Sequence, residues 1–173
     1  MRGMFGRWLK FGAEVERSND AREIERRVRE HLPLADAETV RVVAALTGLL
    51  GAVAYADRNY SNEEEELVRQ VLGRIQGMTA AGIDAVCAAL RRHVVAASTV
   101  MIPHFARELR ELGDPELRRE VLDALVDLAA ADSHITTSET NLLRQITTSL
   151  GLAQGDYNES QARHRERLES LRG

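Results

Sequence analysis

Two stretches of the sequence repeat one another at an offset of 75 residues, and this repeat constrains the fold more than any other feature. The first stretch covers residues 54–71 and the second covers residues 129–146, and seven of the 18 aligned positions are identical. Random pairing would give roughly one or two identities, so we interpret the repeat as a structural duplication. Each copy contains the apolar end of one helix, an aspartate, a short polar turn, and a second helix with a glutamate in its first turn.

The spacing of apolar residues is helical along almost the whole chain, and strand-like alternation is absent. The composition is 44% hydrophobic and 29% charged, which allows a chain of 173 residues to bury a substantial core. We therefore expect an all-α fold of about eight helices, in which the duplicated Asp-loop-helix hairpins pack as a pseudo-twofold bundle. Residues 20–173 should form this single domain, preceded by an amphipathic N-terminal segment over residues 1–19.

Small polar residues mark where most of the helices should begin. A side chain of this kind, placed just before an apolar run, accepts a hydrogen bond from a free amide of the first helical turn. Such residues are Asp20, Asp36, Ser61, Thr79, Asp114, Thr136 and Asp156. In the two repeats a glutamate follows three residues later, which predicts a capping box in which the glutamate reaches back to the cap amide.

Charge and cysteine content exclude several classes of protein. The formal net charge is −4 and basic residues alternate with acidic ones, which is typical of solvated helix faces and argues against nucleic-acid binding. Cys87 is the single cysteine, so no internal disulfide forms, and we expect it to be a small buried hydrophobe. No signal-peptide pattern is present, and the uncharged run over residues 42–56 is too short to span a bilayer. We expect a cytoplasmic protein with a buried core helix at this run.

Four carboxylates occupy equivalent positions in the two repeats: Asp57, Glu64, Asp132 and Glu139. The capping boxes can account for the glutamates, but not for the aspartates, which follow the end of the preceding helix. A negative charge there faces the negative end of the helix dipole and needs a compensating partner. Loop amides, the repeated arginines Arg69 and Arg144, or a cation could each supply it.

If the hairpins bring these four carboxylates together, they form a cluster of hard oxygen ligands. Such a cluster suits Ca²⁺, Mg²⁺ or Mn²⁺ rather than a soft metal, and the ion would relieve the repulsion among the carboxylates. His134, two residues after Asp132, could add a nitrogen ligand. The loops are not EF-hands, because Asn62 stands where the glycine of that motif is required. The alternative is a purely structural role for all four carboxylates.

The two acidic loops also carry a family resemblance. Their shared pattern is Ala-Asp, a hydrophobic residue, then Ser or Thr and a helix-opening Glu. It consists of Ala56, Asp57, Tyr60, Ser61 and Glu64 in the first copy and of Ala131, Asp132, Ile135, Thr136 and Glu139 in the second. Over residues 36–155 the chain resembles the TerB-like family of bacterial helical domains, particularly its small standalone members. The resemblance implies a helical domain associated with tellurite resistance and stress response, whose acidic positions are proposed metal ligands.

Phe5, Trp8 and Phe11 form an aromatic cluster near the N-terminus, with basic residues beside them. A short helix of this composition can rest on an anionic membrane surface or dock on a partner. The same aromatics could instead cover an apolar groove of the helical domain.

Together these patterns favour a non-enzymatic binding or regulatory domain. The sequence has no recognisable Ser/His/Asp or Cys/His set and no phosphate-binding glycine loop. We expect a TerB-like module of a stress-related system with an unidentified protein partner and a divalent cation held by the acidic loops. The alternative is an adapter that contacts a protein or the inner membrane peripherally through Phe5, Trp8 and Phe11, with acidic loops that are purely structural.

Overall fold

The protein is built from α-helices joined by short loops. The computed structural model describes residues 21–56, 60–97, 101–131 and 135–172, and the side chains of all these except 93–97 and 167–172. Within these ranges there are eight helices and no strand, so the predicted all-α fold is confirmed. In chain order they are α1 (residues 21–31), α2 (Ala37–Ala54), α3 (Asn62–Gly73), α4 (Ala80–Ala97), α5 (Ile102–Leu112), α6 (Pro115–Ala129), α7 (Thr137–Ser149) and α8 (Gln154–Arg172).

Side-chain caps set the starts of the two long apolar helices, as the sequence predicts. The carboxylate of Asp36 accepts a hydrogen bond from the amide of Thr39 at 2.7 Å and begins α2. The carboxylate of Asp114 accepts from the amide of Leu117 at 2.8 Å and begins α6. Pro115 follows directly at the first helical position, where its missing N–H costs no intrahelical bond.

The last helix begins three residues earlier than the sequence pattern predicts. We expected Asp156 to be the residue that precedes α8, but α8 starts at Gln154. The carboxylate of Asp156 lies inside the first turn and accepts a hydrogen bond from the amide of Ala153 at 2.8 Å. An acidic side chain at the third helical position therefore caps this helix from within, as the glutamate of a capping box does.

Helix α2 is the centre of the fold and contacts α3, α4, α5, α6 and α7. Among the described helices it is the one that could cross a membrane by length and composition, but 67% of that stretch is buried inside the domain. The prediction of a core helix at residues 42–56 is therefore confirmed. Its closest neighbour is α5, because a methyl group at Gly48 would overlap the ring of Phe105.

The remaining helices surround two hairpins, α2–α3 and α6–α7. Helix α4 packs on both members of the first hairpin, and α8 packs on both members of the second. The hairpins also contact one another, since α2 and α3 pack against α6 and α7 packs against α2. This arrangement accommodates the predicted pseudo-twofold relation of the hairpins, which itself stays a prediction.

The second helices of the two hairpins are buried to different depths. The repeat predicts that Leu67 and Val71 on α3 are buried like Leu142 and Ile146 on α7. On α7 both side chains are buried, whereas on α3 both are half-buried at the edge of the core. The prediction is therefore right for α7 and wrong for α3, because α3 packs on the core chiefly through Val68 and its neighbours one turn away.

Candidate functional site

The two acidic loops leave their first helices in the same way. At the end of α2, the amide of Tyr55 donates to the carbonyl of Gly51 at 3.2 Å. At the end of α6, the amide of Ala130 donates to the carbonyl of Val126 at 3.1 Å. These residues lie 75 positions apart in the sequence, so the repeat extends to the hydrogen bonds of the backbone at the entrance to each loop.

The two loops also enter their second helices in the same way, through the predicted capping boxes. Glu64 accepts from the amide of Ser61 at 2.7 Å, and the Ser61 hydroxyl accepts from the amide of Glu64 at 3.1 Å. The corresponding distances between Glu139 and Thr136 are 2.7 Å and 3.2 Å. Both capping boxes are therefore confirmed.

Glu64 and Glu139 are buried carboxylates, with only 6% and 4% of their surface exposed. Burial of a carboxylate is costly unless hydrogen bonds or charges compensate it. The cap amide supplies one hydrogen bond to each, and each glutamate makes a further interaction. A capping glutamate is more often exposed, so the depth of these two is a feature that the sequence pattern alone does not reveal.

The other predicted ligands lie outside the described residues. These are Asp57, Asp132 and His134. Within the described ranges no group of three or more His, Cys, Asp or Glu side chains could hold a metal ion. The predicted four-carboxylate site with its Ca²⁺, Mg²⁺ or Mn²⁺ therefore stays a prediction. The aromatic cluster of Phe5, Trp8 and Phe11 also lies outside the described residues.

Two stacked tyrosines border the first loop. The rings of Tyr55 and Tyr60 lie 5.0 Å apart between centroids and are inclined by 19°. The guanidinium carbon of Arg91, on α4, lies 5.5 Å from the centroid of the Tyr60 ring, within the range of a cation–π contact. The Tyr60 hydroxyl is buried without a hydrogen-bond partner in the described structure, and burial raises the pKa of Tyr60.

An ion-pair network joins α3 to α4 beside these rings. Glu65 accepts from Arg69 at 2.9 Å and from Arg91. Arg69 also pairs with Asp84 on α4 at 2.5 Å. The sequence suggests Arg69 as a partner for the loop aspartate, whereas the structure shows it engaged by Glu65 and Asp84. Sequence reasoning missed Glu65 because it lies in a run of four glutamates that has no internal signal to distinguish its members.

Cys87, on α4, is buried and has the character of an unreactive thiol. Only 1% of its surface is exposed, and burial raises the pKa of its thiol. A thiol with a raised pKa is a poor nucleophile near neutral pH. The prediction of a small buried hydrophobe is confirmed.

The second loop has no tyrosine stack and borders an open pocket of about 200 Å³ instead. The pocket lies between α6, the loop and α8. Its lining residues are Val126, Ile135, Gln161, His164 and Arg165. Two of them are apolar and three carry side chains that can donate hydrogen bonds.

Polar contacts hold α8 along this pocket. His164 Nδ1 lies 2.7 Å from a carboxylate oxygen of Asp127 on α6, which fixes the imidazole ring. One turn earlier, Gln161 donates to the hydroxyl of Tyr157 at 2.9 Å. Two buried polar atoms of α8, His164 Nε2 and Ser160 Oγ, have no hydrogen-bond partner in the described structure.

Comparison with protein families gives one match. The family model described as tellurite resistance protein TerB matches residues 43–162, which is more than half of the chain. The match includes both acidic loops, the tyrosine stack and three of the pocket residues, Val126, Ile135 and Gln161. No curated protein and no solved structure matched.

Proposed function

Because the chain belongs to the TerB family, we propose that it is a non-enzymatic binding domain of a cytoplasmic stress-response system of the tellurite-resistance type. We further propose that its two acidic loops bind a divalent cation and thereby present a surface to a protein partner. The observation that carries this proposal is the matched pair of buried glutamates, Glu64 and Glu139.

The backbone frame supports a common role for the two loops. Each begins with the same hydrogen bonds at a helix end and finishes at a capping box with a buried glutamate. The frame holds the two ends of each loop, and the aspartate within the loop is the same residue type in both copies. Hydrogen bonds at both ends of each loop are suited to hold equivalent acidic residues of the two copies in defined positions.

The donor set fits a hard cation. Carboxylate oxygens are the ligands that Ca²⁺, Mg²⁺ and Mn²⁺ prefer, and a carboxylate that accepts one amide hydrogen bond still has lone pairs for a metal. Asp57, Glu64, Asp132 and Glu139 would hold the ion, with His134 as a further donor. The ion would neutralise charge at the loops.

Thermal unfolding with added cations tests this proposal. Ca²⁺ or Mn²⁺ at millimolar concentration should raise the Tm of the full chain, since an ion that binds only the folded state stabilises it. Asp57→Asn combined with Asp132→Asn should abolish that rise. Glu63→Gln combined with Glu66→Gln is the matched control, because it removes two exposed carboxylates of α3 and should leave the rise intact.

A second pair of variants separates charge from capping. Glu64→Gln combined with Glu139→Gln keeps an acceptor for each cap amide but removes both charges. Under our proposal this variant remains folded and responds less to cations. A Tm of the wild type that is unmoved by either cation would refute cation binding and leave the carboxylates with a structural role.

The aromatic N-terminal segment supports the alternative function of an adapter. Replacing Phe5, Trp8 and Phe11 together by alanine should reduce co-sedimentation with anionic liposomes if the segment contacts a membrane surface. If the variant and the wild type co-sediment with the liposomes to the same extent, the result would argue against a membrane role.

A further inference from the structure

The two hairpins differ at the positions that border their loops. Tyr55 and Tyr60 flank the first loop, and the residues 75 positions further on, Ala130 and Ile135, flank the second. Both replacements remove an aromatic ring. The Tyr60 ring is partly buried under Arg91, whereas Ile135 lines the open pocket of about 200 Å³. The pocket is therefore lined by Ile135, the residue that corresponds to Tyr60 in the sequence repeat.

An arginine from the following helix lies beside each of these positions. In the first half, Arg91 on α4 lies over the face of Tyr60 and also pairs with Glu65. In the second half, Arg165 on α8 lines the pocket with Ile135. Thr140 stands where the first half has Glu65, and Arg165 forms no ion pair with the described part of the chain. A cation thus borders a pocket whose lining has the imidazole of His164 but no phenylalanine, tyrosine or tryptophan ring.

The polar side chains that line the pocket indicate which functional group a ligand would have besides an aromatic ring. Gln161 and His164 line the pocket next to the apolar Val126 and Ile135. The His164 ring is oriented by Asp127, and its Nε2 atom is buried without a hydrogen-bond partner. Because this atom is closed off from solvent, the acceptor on the polar side of the pocket is the side-chain oxygen of Gln161, whose amide nitrogen donates to Tyr157. A hydroxyl group on the ligand could form a hydrogen bond on this polar side of the pocket.

We propose that this pocket binds a small aromatic compound that carries a hydroxyl group. Its ring lies between Ile135 and the guanidinium of Arg165, as the Tyr60 ring lies under Arg91. Its hydroxyl donates to the side-chain oxygen of Gln161. The proposal is independent of cation binding at the acidic loops, because none of the pocket residues is one of the four carboxylates.

Titration of the ¹⁵N-labelled full chain with phenol, followed by amide chemical shifts, tests the proposal. Phenol should cause saturable shifts at the amides of Val126, Ile135 and residues 161–165. Cyclohexanol has the same hydroxyl and a similar size but no π face, so it should bind about two- to fivefold more weakly. Equal affinity for the two compounds, or no saturable shift at these amides, would overturn the proposal.

Variants of the full chain identify the residues responsible. Ile135→Tyr supplies the ring that the first hairpin has, so it should fill the pocket and prevent phenol binding. Arg165→Gln should weaken phenol about two- to fivefold and leave cyclohexanol unchanged. Arg92→Gln is the control, since it removes one exposed arginine on α4 and should have no effect. Undiminished phenol binding by a folded Ile135→Tyr variant would overturn the proposal.

A final variant tests whether the chain fills its own pocket. Phe5, Trp8 and Phe11 are aromatic residues of the same chain that could compete with phenol. If phenol binds the wild type and the Phe5→Ala, Trp8→Ala, Phe11→Ala variant equally, an external ligand is supported. If phenol binds only the triple variant, the pocket belongs to the N-terminal segment and the proposal of an external ligand is overturned.

Discussion

The loop between α2 and α3 and the loop between α6 and α7 share a backbone frame but have different surroundings. In the first, two tyrosine rings and the ion pairs of Glu65 fill the space between the hairpin and α4. In the second, smaller side chains leave a pocket between the hairpin and α8. The hydrogen bonds at the two ends of each loop are thus the same, while a few side chains decide whether the neighbouring space is filled or open.

The depth of the second helix also differs between the hairpins. Helix α7 buries Leu142 and Ile146, whereas α3 leaves Leu67 and Val71 half-exposed at the edge of the core. Helix α3 is instead joined to α4 by ion pairs. Helix α3 therefore depends more on polar contacts at its surface, and α7 depends more on the core.

The largest expected effect compares the same substitution at the two repeated leucines. Leu142→Ala should lower the free energy of unfolding by about 2–5 kcal/mol, because it leaves a cavity in the core. Leu67→Ala should cost about 1–2 kcal/mol, since the half-buried side chain removes less apolar surface from water. Urea unfolding of both variants measures the difference, and equal losses would break the distinction between α3 and α7.

The next effect compares the two capping boxes. Ser61→Ala and Thr136→Ala should each lower the free energy of unfolding by about 0.5–2 kcal/mol. We expect the two losses to agree, because the hydrogen-bond lengths of the boxes are nearly the same. Urea unfolding provides the measurement, and exposed Thr137→Ala and Ser138→Ala provide the controls. A large loss at one box only would show that the shared frame is not equally important in both hairpins.

A smaller effect should distinguish the two arginines. Arg91→Gln should cost about 0.5–1 kcal/mol through its lost contact with the Tyr60 ring. Arg165→Gln should change the free energy of unfolding by less than about 0.5 kcal/mol, because the exposed Arg165 side chain has no ring beneath it. A double-mutant cycle with Tyr60→Leu measures the contact in the first half. A coupling energy of zero in that cycle would contradict the comparison.

The smallest effect concerns two ion pairs that join outer helices to the core. Arg41 on α2 holds the pKa of Glu108 on α5 below its ordinary value of 4.5, and Arg119 on α6 holds the pKa of Asp156 on α8 below 3.8. A lowered pKa gives stability that is present above the ordinary value and is lost as the pH falls toward the folded value. Arg41→Gln and Arg119→Gln should each cost about 0.2–1 kcal/mol at neutral pH.

Acid titration of stability checks this last prediction. The difference between wild type and Arg41→Gln should shrink as the pH falls below 4.5, and that for Arg119→Gln should shrink only below 3.8. Urea unfolding at a series of pH values provides the data. If the differences in unfolding free energy between wild type and variants stay constant down to pH 2, Arg41 does not act through Glu108 and Arg119 does not act through Asp156.

The sequence predicted those parts of the structure that depend on near neighbours. The starts of α2 and α6, the two capping boxes and the apolar core helix each depend on residues within a few positions of one another. The predicted start of α8 is wrong by three residues, because an acidic side chain such as Asp156 can cap a helix from the position before it or from inside its first turn.

The features that were missed depend on contacts between distant parts of the chain. Glu65 meets Arg91 across 26 positions and His164 meets Asp127 across 37. No local spacing specifies which of several charged residues on neighbouring helices will pair. The pocket is likewise invisible in the sequence, because it arises from the packing of α8 on α6, although the change from Tyr60 to Ile135 in the repeat indicates where space could open.

Because Cys87 is buried, labelling of its thiol can report the local opening of α4. As the single thiol in the chain, it can meet a labelling reagent only when α4 lifts from α2 and α3. The rate of labelling therefore measures how often this helix opens. If the free energy of opening is smaller than the free energy of global unfolding, α4 opens separately from the rest of the core.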